Sequence, residues 1–296
     1  MKTNGKQRPQ GVYCAFDLAT SDSTRSNGEP RSRIARATLT DVGSGPAHDG
    51  GMLTSSDYAA AIEPARQRFA EDASVKALFS GELDRPTFFA TLLYFNALGI
   101  AMTQPVEQWI HKSGVRCEEI GMTALGRALK KSSKLEADHH LMMITDATFL
   151  VGEWNREYPN FPLRAESLLA TPRTRGVDWY CAIHEEYLAG PTPYVQVSFM
   201  QEIERLADSY GSLFVESTKR VLGDVVAQGL SFIHFHIEND VGHAALSHKL
   251  LDDVLRERPN ALPDLVVTGE KAIDSYRLFL SDAVELGRTL VASMSR

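Results

Sequence analysis

The stretch FIHFHIENDVGHAALSH, Phe232 to His248, carries four of the chain's nine histidines within seventeen positions. A helix advances about 100° per residue, which allows the segment to be laid out as a wheel. With His236 at zero, Asp240 falls near 40° and His243 near −20°, to within about one residue's width. His234 and Glu238 fall on the opposite side, and His248 lies about a third of a turn away. One face therefore reads His-x-x-x-Asp-x-x-His. Phe232, Ile233 and Leu250 lie near that same face, so it points toward a core. Burying two imidazoles and a carboxylate is costly unless they are paired or hold a cation. Nitrogen with carboxylate oxygen suits iron, manganese or zinc better than calcium or magnesium. The bland alternative is a solvated polar face.

The rest of the chain bounds what such a segment serves. There are 296 residues, 43% of them hydrophobic, enough for one large domain or two modest ones. The net charge of −7 argues against a broad basic surface for nucleic acid. Three scattered cysteines with no Cys-x-x-Cys pair indicate neither a disulfide framework nor a zinc ribbon, and a reducing cytoplasm is expected. The start lacks an apolar run of the signal-peptide kind, and no segment is judged long and apolar enough to span a bilayer. Residues 1–52, rich in Ser, Gly, Pro and charge, are expected to form a flexible or loosely docked extension, and residues 53–296 a single helical domain.

Helical signals run from Ser55 to the end. A Ser cap opens the first segment. Asp84 is the expected N-cap of DRPTFFATLLYFNALGIAM, with Pro86 in its first turn and Pro105 breaking or kinking it. A further helix is expected from about Cys117 to Glu153, interrupted near Ser132. Others cover 177–190 and 193–226, then 230–258 with Pro259 as its stop, and 270–293. DLVVTG alone hints at a strand. The fold class is all-α, a bundle of about seven or more helices.

One helix cannot complete a buried metal site. In LEADHHLMM, Glu136 and His139 stand three apart, the spacing by which helical bundles ligate paired metals. Glu107 and His111 in EQWIH form a rival pair, ranked lower because they follow Pro105, and His140 sits beside the stripe. In YVQVSFMQEIERLADSYG, Glu202 is a charge on an apolar stripe, shared with Val195, Phe199, Leu206 and Tyr210. Glu204 lies about 200° away and is taken as surface. Arg205, three residues after Glu202, either pairs with it or holds a substrate carboxylate.

These three pieces together resemble the haem-oxygenase-like diiron oxidases and oxygenases, also called iron-containing redox enzymes. That family's pattern is Glu-x-x-His on one core helix, a lone Glu on a second and His-x-x-x-Asp-x-x-His on a third. The matches here are Glu136 and His139, then Glu202, then His236, Asp240 and His243, over roughly residues 60–260. The resemblance implies a haem-oxygenase-like helical bundle whose six matched residues ligate two Fe(II) ions, with dioxygen as co-substrate. It implies oxidation of unactivated C–H bonds by desaturation, hydroxylation, cyclisation or C–C cleavage, on an amino acid or a fatty acid. An aliphatic amino acid is favoured, with azetidine formation as one outcome and Arg205 as the carboxylate partner; oxidative decarboxylation of a fatty acid is the alternative. External electron donation and a homodimer are compatible with the resemblance; no nucleic acid or membrane partner is expected. A thiaminase-like enzyme on the same scaffold would not need the six ligands. Haem oxygenase would need a proximal histidine, and none lies between Asp49 and Ile110. A ferritin-like protein would show a second Glu-x-x-His. From another class, the protein would bind metal or a partner without turnover.

Overall fold

The computed structural model describes residues 52–294, the side chains of residues 239–245 excepted. The extension expected over 1–52 thus lies, but for Met52, outside the described residues. The described chain is helical and contains no strand. Its helices are α1 (Ser55–Glu71), α2 (Ala73–Ser80), α3 (Arg85–Thr103), α4 (Val106–Glu119), α5 (Thr123–Ser132) and α6 (His139–Glu157). There follow α7 (Ala165–Leu169), α8 (Arg175–Ala189), α9 (Gln196–Leu222), α10 (Asp224–Ala227), α11 (Ser231–Glu257) and α12 (Leu262–Met294). Short 3-10 turns precede α6, α9 and α12.

Local chemistry sets the helix starts. Thr54 rather than a serine caps α1, its hydroxyl accepting from Ser56 N while Asp57 accepts from Thr54 N. The Asp84 carboxylate accepts from Thr87 N at 2.9 Å and opens α3, with Pro86 in the first turn, as the sequence predicts. Pro105 separates α3 from α4. DLVVTG is helical, contrary to its β-branched composition. Leu265, Thr268, Gly269, Ala272 and Ile273 recur at helical intervals and are buried, and that periodic burial outweighs the strand preference of two valines.

The middle of the bundle is α3. Phe88, Phe89, Leu92, Leu93, Phe95 and Leu98 are buried around its circumference, each contributing about 2 kcal/mol of apolar burial. It packs on α6, α8, α9 and α12. The segment Arg85–Glu119 is in fact long and apolar enough to cross a membrane, which the sequence reading overlooked; 72% of its apolar window is buried within the protein, as a central core helix requires. Close helix approach depends on glycine at two places on α12's seams. A Cβ on Gly287 would lie 2.8 Å from Thr91 Oγ1, and one on Gly176 would lie 2.5 Å from the backbone nitrogen of Phe279.

Asp84→Ala removes the cap of the central helix and is expected to lower stability by about 1 kcal/mol. A urea midpoint equal to that of the parent protein would show that the cap contributes nothing.

Candidate metal centre

The expected helix through Glu136 and His139 is broken between them. After α5 the chain makes a 3-10 turn, Ser133–Glu136, then an extended Ala137, then Asp138 at φ 65°. A left-handed backbone is uncommon outside glycine, and aspartate is among the residues that tolerate it. The reversal restarts the chain as α6 with His139 as its first helical residue. The two side chains still meet: His139 Nδ1 lies 2.9 Å from Glu136 Oε2, with His139 almost wholly buried.

The third member comes from α11. His236 Nδ1 donates to the carbonyl oxygen of Phe232 at 2.8 Å, which fixes the tautomer and puts the lone pair on Nε2. Its ring stands 5.1 Å from that of His139, centroid to centroid, at 72°. Phe232 and Phe235 meet the His139 ring edge-on and wall the group with apolar surface. One donor atom from each of Glu136, His139 and His236 lies within 4.8 Å of the others.

These residues fit a transition metal. The 2.9 Å between His139 Nδ1 and Glu136 Oε2 is a hydrogen-bonding distance that keeps both donor atoms at one spot. Two imidazoles and one carboxylate form the donor set of non-haem ferrous sites with open positions.

What sets α6 against α11 is Asp146, two turns after His139 on α6. Its buried carboxylate accepts from Ser231 N and Phe232 N, both at 3.0 Å. It thereby caps α11 from outside and places a negative charge at its N-terminus. The sequence reading missed this residue. Its signal was a carboxylate seven positions from His139, on the same face.

The second helix departs from expectation. Glu202 is buried, but its carboxylate is gripped in bidentate fashion by Arg66 of α1, at 2.9 and 2.7 Å. Among the described residues it belongs neither to the donor cluster nor to the cavity wall. The charge on the apolar stripe is thus accounted for by an ion pair with a residue 136 positions away, which no local spacing reveals. Glu204, taken as surface, is half-buried and lines the cavity together with Glu136, His139 and His236, and the Ser247 hydroxyl donates to it. Arg205, the expected carboxylate partner, is exposed and is not among the described residues lining the cavity. The side chains of Asp240 and His243 lie outside the described residues; their backbone continues α11 four and seven residues beyond His236. The rival pair Glu107 and His111 is exposed.

The cavity beside the cluster measures about 140 Å³. Its walls are mainly Phe, Leu, Ile and Met side chains, and no lysine or arginine lies among the described residues lining it. Tyr180, His184 and Gln196 add polar groups. His184 is stacked on Trp109, centroids 4.1 Å apart and planes within 8°, with Phe199 also 4.1 Å away. Burial drives its pKa from 6.5 down to about 3, so it is neutral at ordinary pH.

That depression has a sign. Below pH 6.5 the unfolded chain protonates His184 while the folded one does not, until about pH 3. Its contribution is therefore complete above 6.5 and falls by up to about 1.4 kcal/mol per pH unit on acidification through that window. Comparing the pH dependence of stability in His184→Gln with the parent protein should show a shallower slope between pH 6.5 and 5 in the variant; parallel curves would refute the depression. Separately, Asp146→Asn is expected to weaken metal binding roughly tenfold or more by loosening the α11 start, measured by competition with a chelator.

No family model and no curated protein matches the chain. Solved structures do. A domain of unknown function with a haem oxygenase-like fold from Shewanella denitrificans OS217 superposes with a TM-score of 0.64 at 13% identity, covering 79% of this chain and 93% of that one. A TenA homolog from Pseudomonas syringae pv. tomato str. DC3000 superposes with a TM-score of 0.58 at 11% identity, covering 80% of this chain and 97% of that one. At such identities the likeness concerns architecture alone: the chain has the haem oxygenase-like fold.

Proposed function

We propose that this protein is a non-haem diiron enzyme that uses dioxygen to oxidise a small, largely apolar substrate. The observation that carries the proposal is the convergence of Glu136, His139 and His236 from separate segments on one end of an apolar cavity. Those three account for one ion. A second would draw on Glu204, which lines the same cavity, and on Asp240 and His243 further along α11. When bound, two ferrous ions would supply electrons and open coordination positions for dioxygen.

The chain's own residues have definite parts. Glu136 offsets cationic charge in a low-dielectric setting. The Phe232 carbonyl holds His236 in its metal-ligating tautomer. Asp146 keeps α6 and α11 in register. The aromatic and aliphatic walls keep water from the reacting bond and accept a hydrocarbon body. A substrate carboxylate would find its charge compensation at the metal, because the described wall offers no lysine or arginine.

Size favours a short substrate. A cavity of about 140 Å³ is comparable to one that admits benzene, so a substrate the size of an amino acid suits it better than a long fatty acyl chain. The outcome within that class, desaturation, hydroxylation, cyclisation to an azetidine or C–C cleavage, is left to product analysis. A thiaminase-like enzyme, the alternative weighed from the sequence on the same scaffold, gives no role to the buried donor cluster.

Anaerobic loading with ferrous iron should give protein-bound iron, and Glu136→Gln, His139→Ala and His236→Ala should each lower its stoichiometry with helicity kept by circular dichroism. Asp240→Ala and His243→Ala should do the same. On admission of air, oxygen uptake should depend on one member of a panel of amino acids and short carboxylates; iron binding with no substrate-dependent uptake would leave a metal-holding protein and end the enzyme proposal. Glu204→Gln should reduce iron content, whereas Glu202→Gln should retain iron and lose about 3 kcal/mol of stability by orphaning Arg66. The reverse pattern would return Glu202 to the ligand set.

A further inference from the structure

His184 and Gln196, two residues of the cavity lining, each hold one buried polar atom that the protein leaves unsatisfied. Both residues are at most 1% exposed, and both line the cavity. They share one hydroxyl: the Tyr187 OH donates to Gln196 Oε1 and lies against His184 Nδ1. With its proton on the amide oxygen, that hydroxyl accepts from His184 Nδ1–H. His184 Nε2 is then a lone-pair acceptor and Gln196 Nε2 a donor, and neither has a partner within the protein. Turning the amide and reversing the chain of protons exchanges the two roles. Either way one acceptor and one donor remain, on two side chains joined through the same oxygen.

The pair is rigidly held. Trp109 stacks on the imidazole, and its own Nε1 donates to Glu185 Oε1 at 2.8 Å, so the stacking partner is anchored to the next residue along α8. Phe199 packs against the ring as well. Unpaired buried polar atoms are costly and few in native interiors, and here ring contacts with Trp109, Tyr180, Tyr187 and Phe199 orient an imidazole whose Nε2 is left unsatisfied. Neither residue brings a formal charge, and no lysine or arginine stands among the described lining. A carboxylate or an ammonium would therefore be desolvated there without compensation. An uncharged group with a donor and an acceptor on one carbon meets both needs.

We propose that His184 and Gln196 form a recognition subsite for an uncharged donor–acceptor group of the carboxamide kind at one end of the substrate, with the apolar walls holding its body. This rests on the iron-enzyme proposal only in calling the ligand a substrate; the binding itself requires no metal.

The test uses full-length, metal-free protein and three probes matched in length to the cavity: pentanamide, pentanoate and pentylammonium. Trp109 reports through its fluorescence, with Trp109→Phe as the control that identifies the signal, and calorimetry gives affinity. Pentanamide should bind at least about tenfold tighter than either charged probe, and His184→Leu and Gln196→Leu should each erase that preference. Equal affinities for all three probes, or no pentanamide binding at millimolar concentration, would overturn the proposal; neither result depends on whether the variants fold. An undiminished preference in folded variants would overturn it too. Iron binding measured in parallel separates the two ideas. Loss of iron binding with the amide preference intact counts against the metal centre alone, and intact iron binding with no preference counts against the subsite alone.

Discussion

Asp146 holds two backbone N–H groups at the start of α11, and the geometry of the candidate centre depends on that grip. His139 begins α6 and Asp146 follows it by two turns, while His236 lies five residues into α11. One carboxylate thus ties the two helices at the level where their imidazoles must meet. Helices that pack only through apolar side chains can slide or rotate by fractions of a turn at modest cost, because the contact is non-directional. A buried carboxylate with two directional hydrogen bonds forbids that slip, since breaking it would strand charge in a low-dielectric interior. The break between Glu136 and His139 works to the same end. By restarting the helix at the ligand itself, the left-handed Asp138 lets Glu136 approach from a separate turn.

Two carboxylates of α9, two residues apart, meet opposite fates. Glu202 is neutralised by Arg66 and joins α1 to α9. Burial and then the Glu202 charge raise the pKa of the adjacent Tyr58 well above the phenolic norm, as expected where an anion is held inside the protein. Glu204 instead looks into the cavity that holds the donor cluster. The same helix therefore supplies one charge to the architecture and offers another to the site. What distinguishes them is the guanidinium that α1 delivers, which pairs with Glu202 through two hydrogen bonds.

The cavity combines an acidic, imidazole-rich end with neutral walls. Such a wall has no charge to hold a charged head group; in the proposed function charge selection would fall to the metal and shape selection to aromatic and aliphatic side chains. The fixed imidazole at His184, kept neutral by burial, fits the same logic: it offers hydrogen bonding without charge.

The sequence by itself determined the class of fold and most of the helix punctuation. Proline and cap chemistry are local, so Asp84, Pro86, Pro105 and Pro259 can be read where they stand. It also singled out Glu136, His139 and His236, whose donor atoms the structure brings together although the helix expected through the first two is broken between them. It misjudged DLVVTG, where tertiary burial overrode valine's strand preference. Only the tertiary structure decided that Glu202 belongs to Arg66, that Glu204 faces the cavity, that Asp146 caps α11, and that His184, Tyr187 and Gln196 share a hydrogen-bonded chain. Each of these joins separate elements or turns on which side of a helix meets a neighbour. Periodicity fixes which residues share a face, but what that face meets is set by packing between segments far apart in the chain.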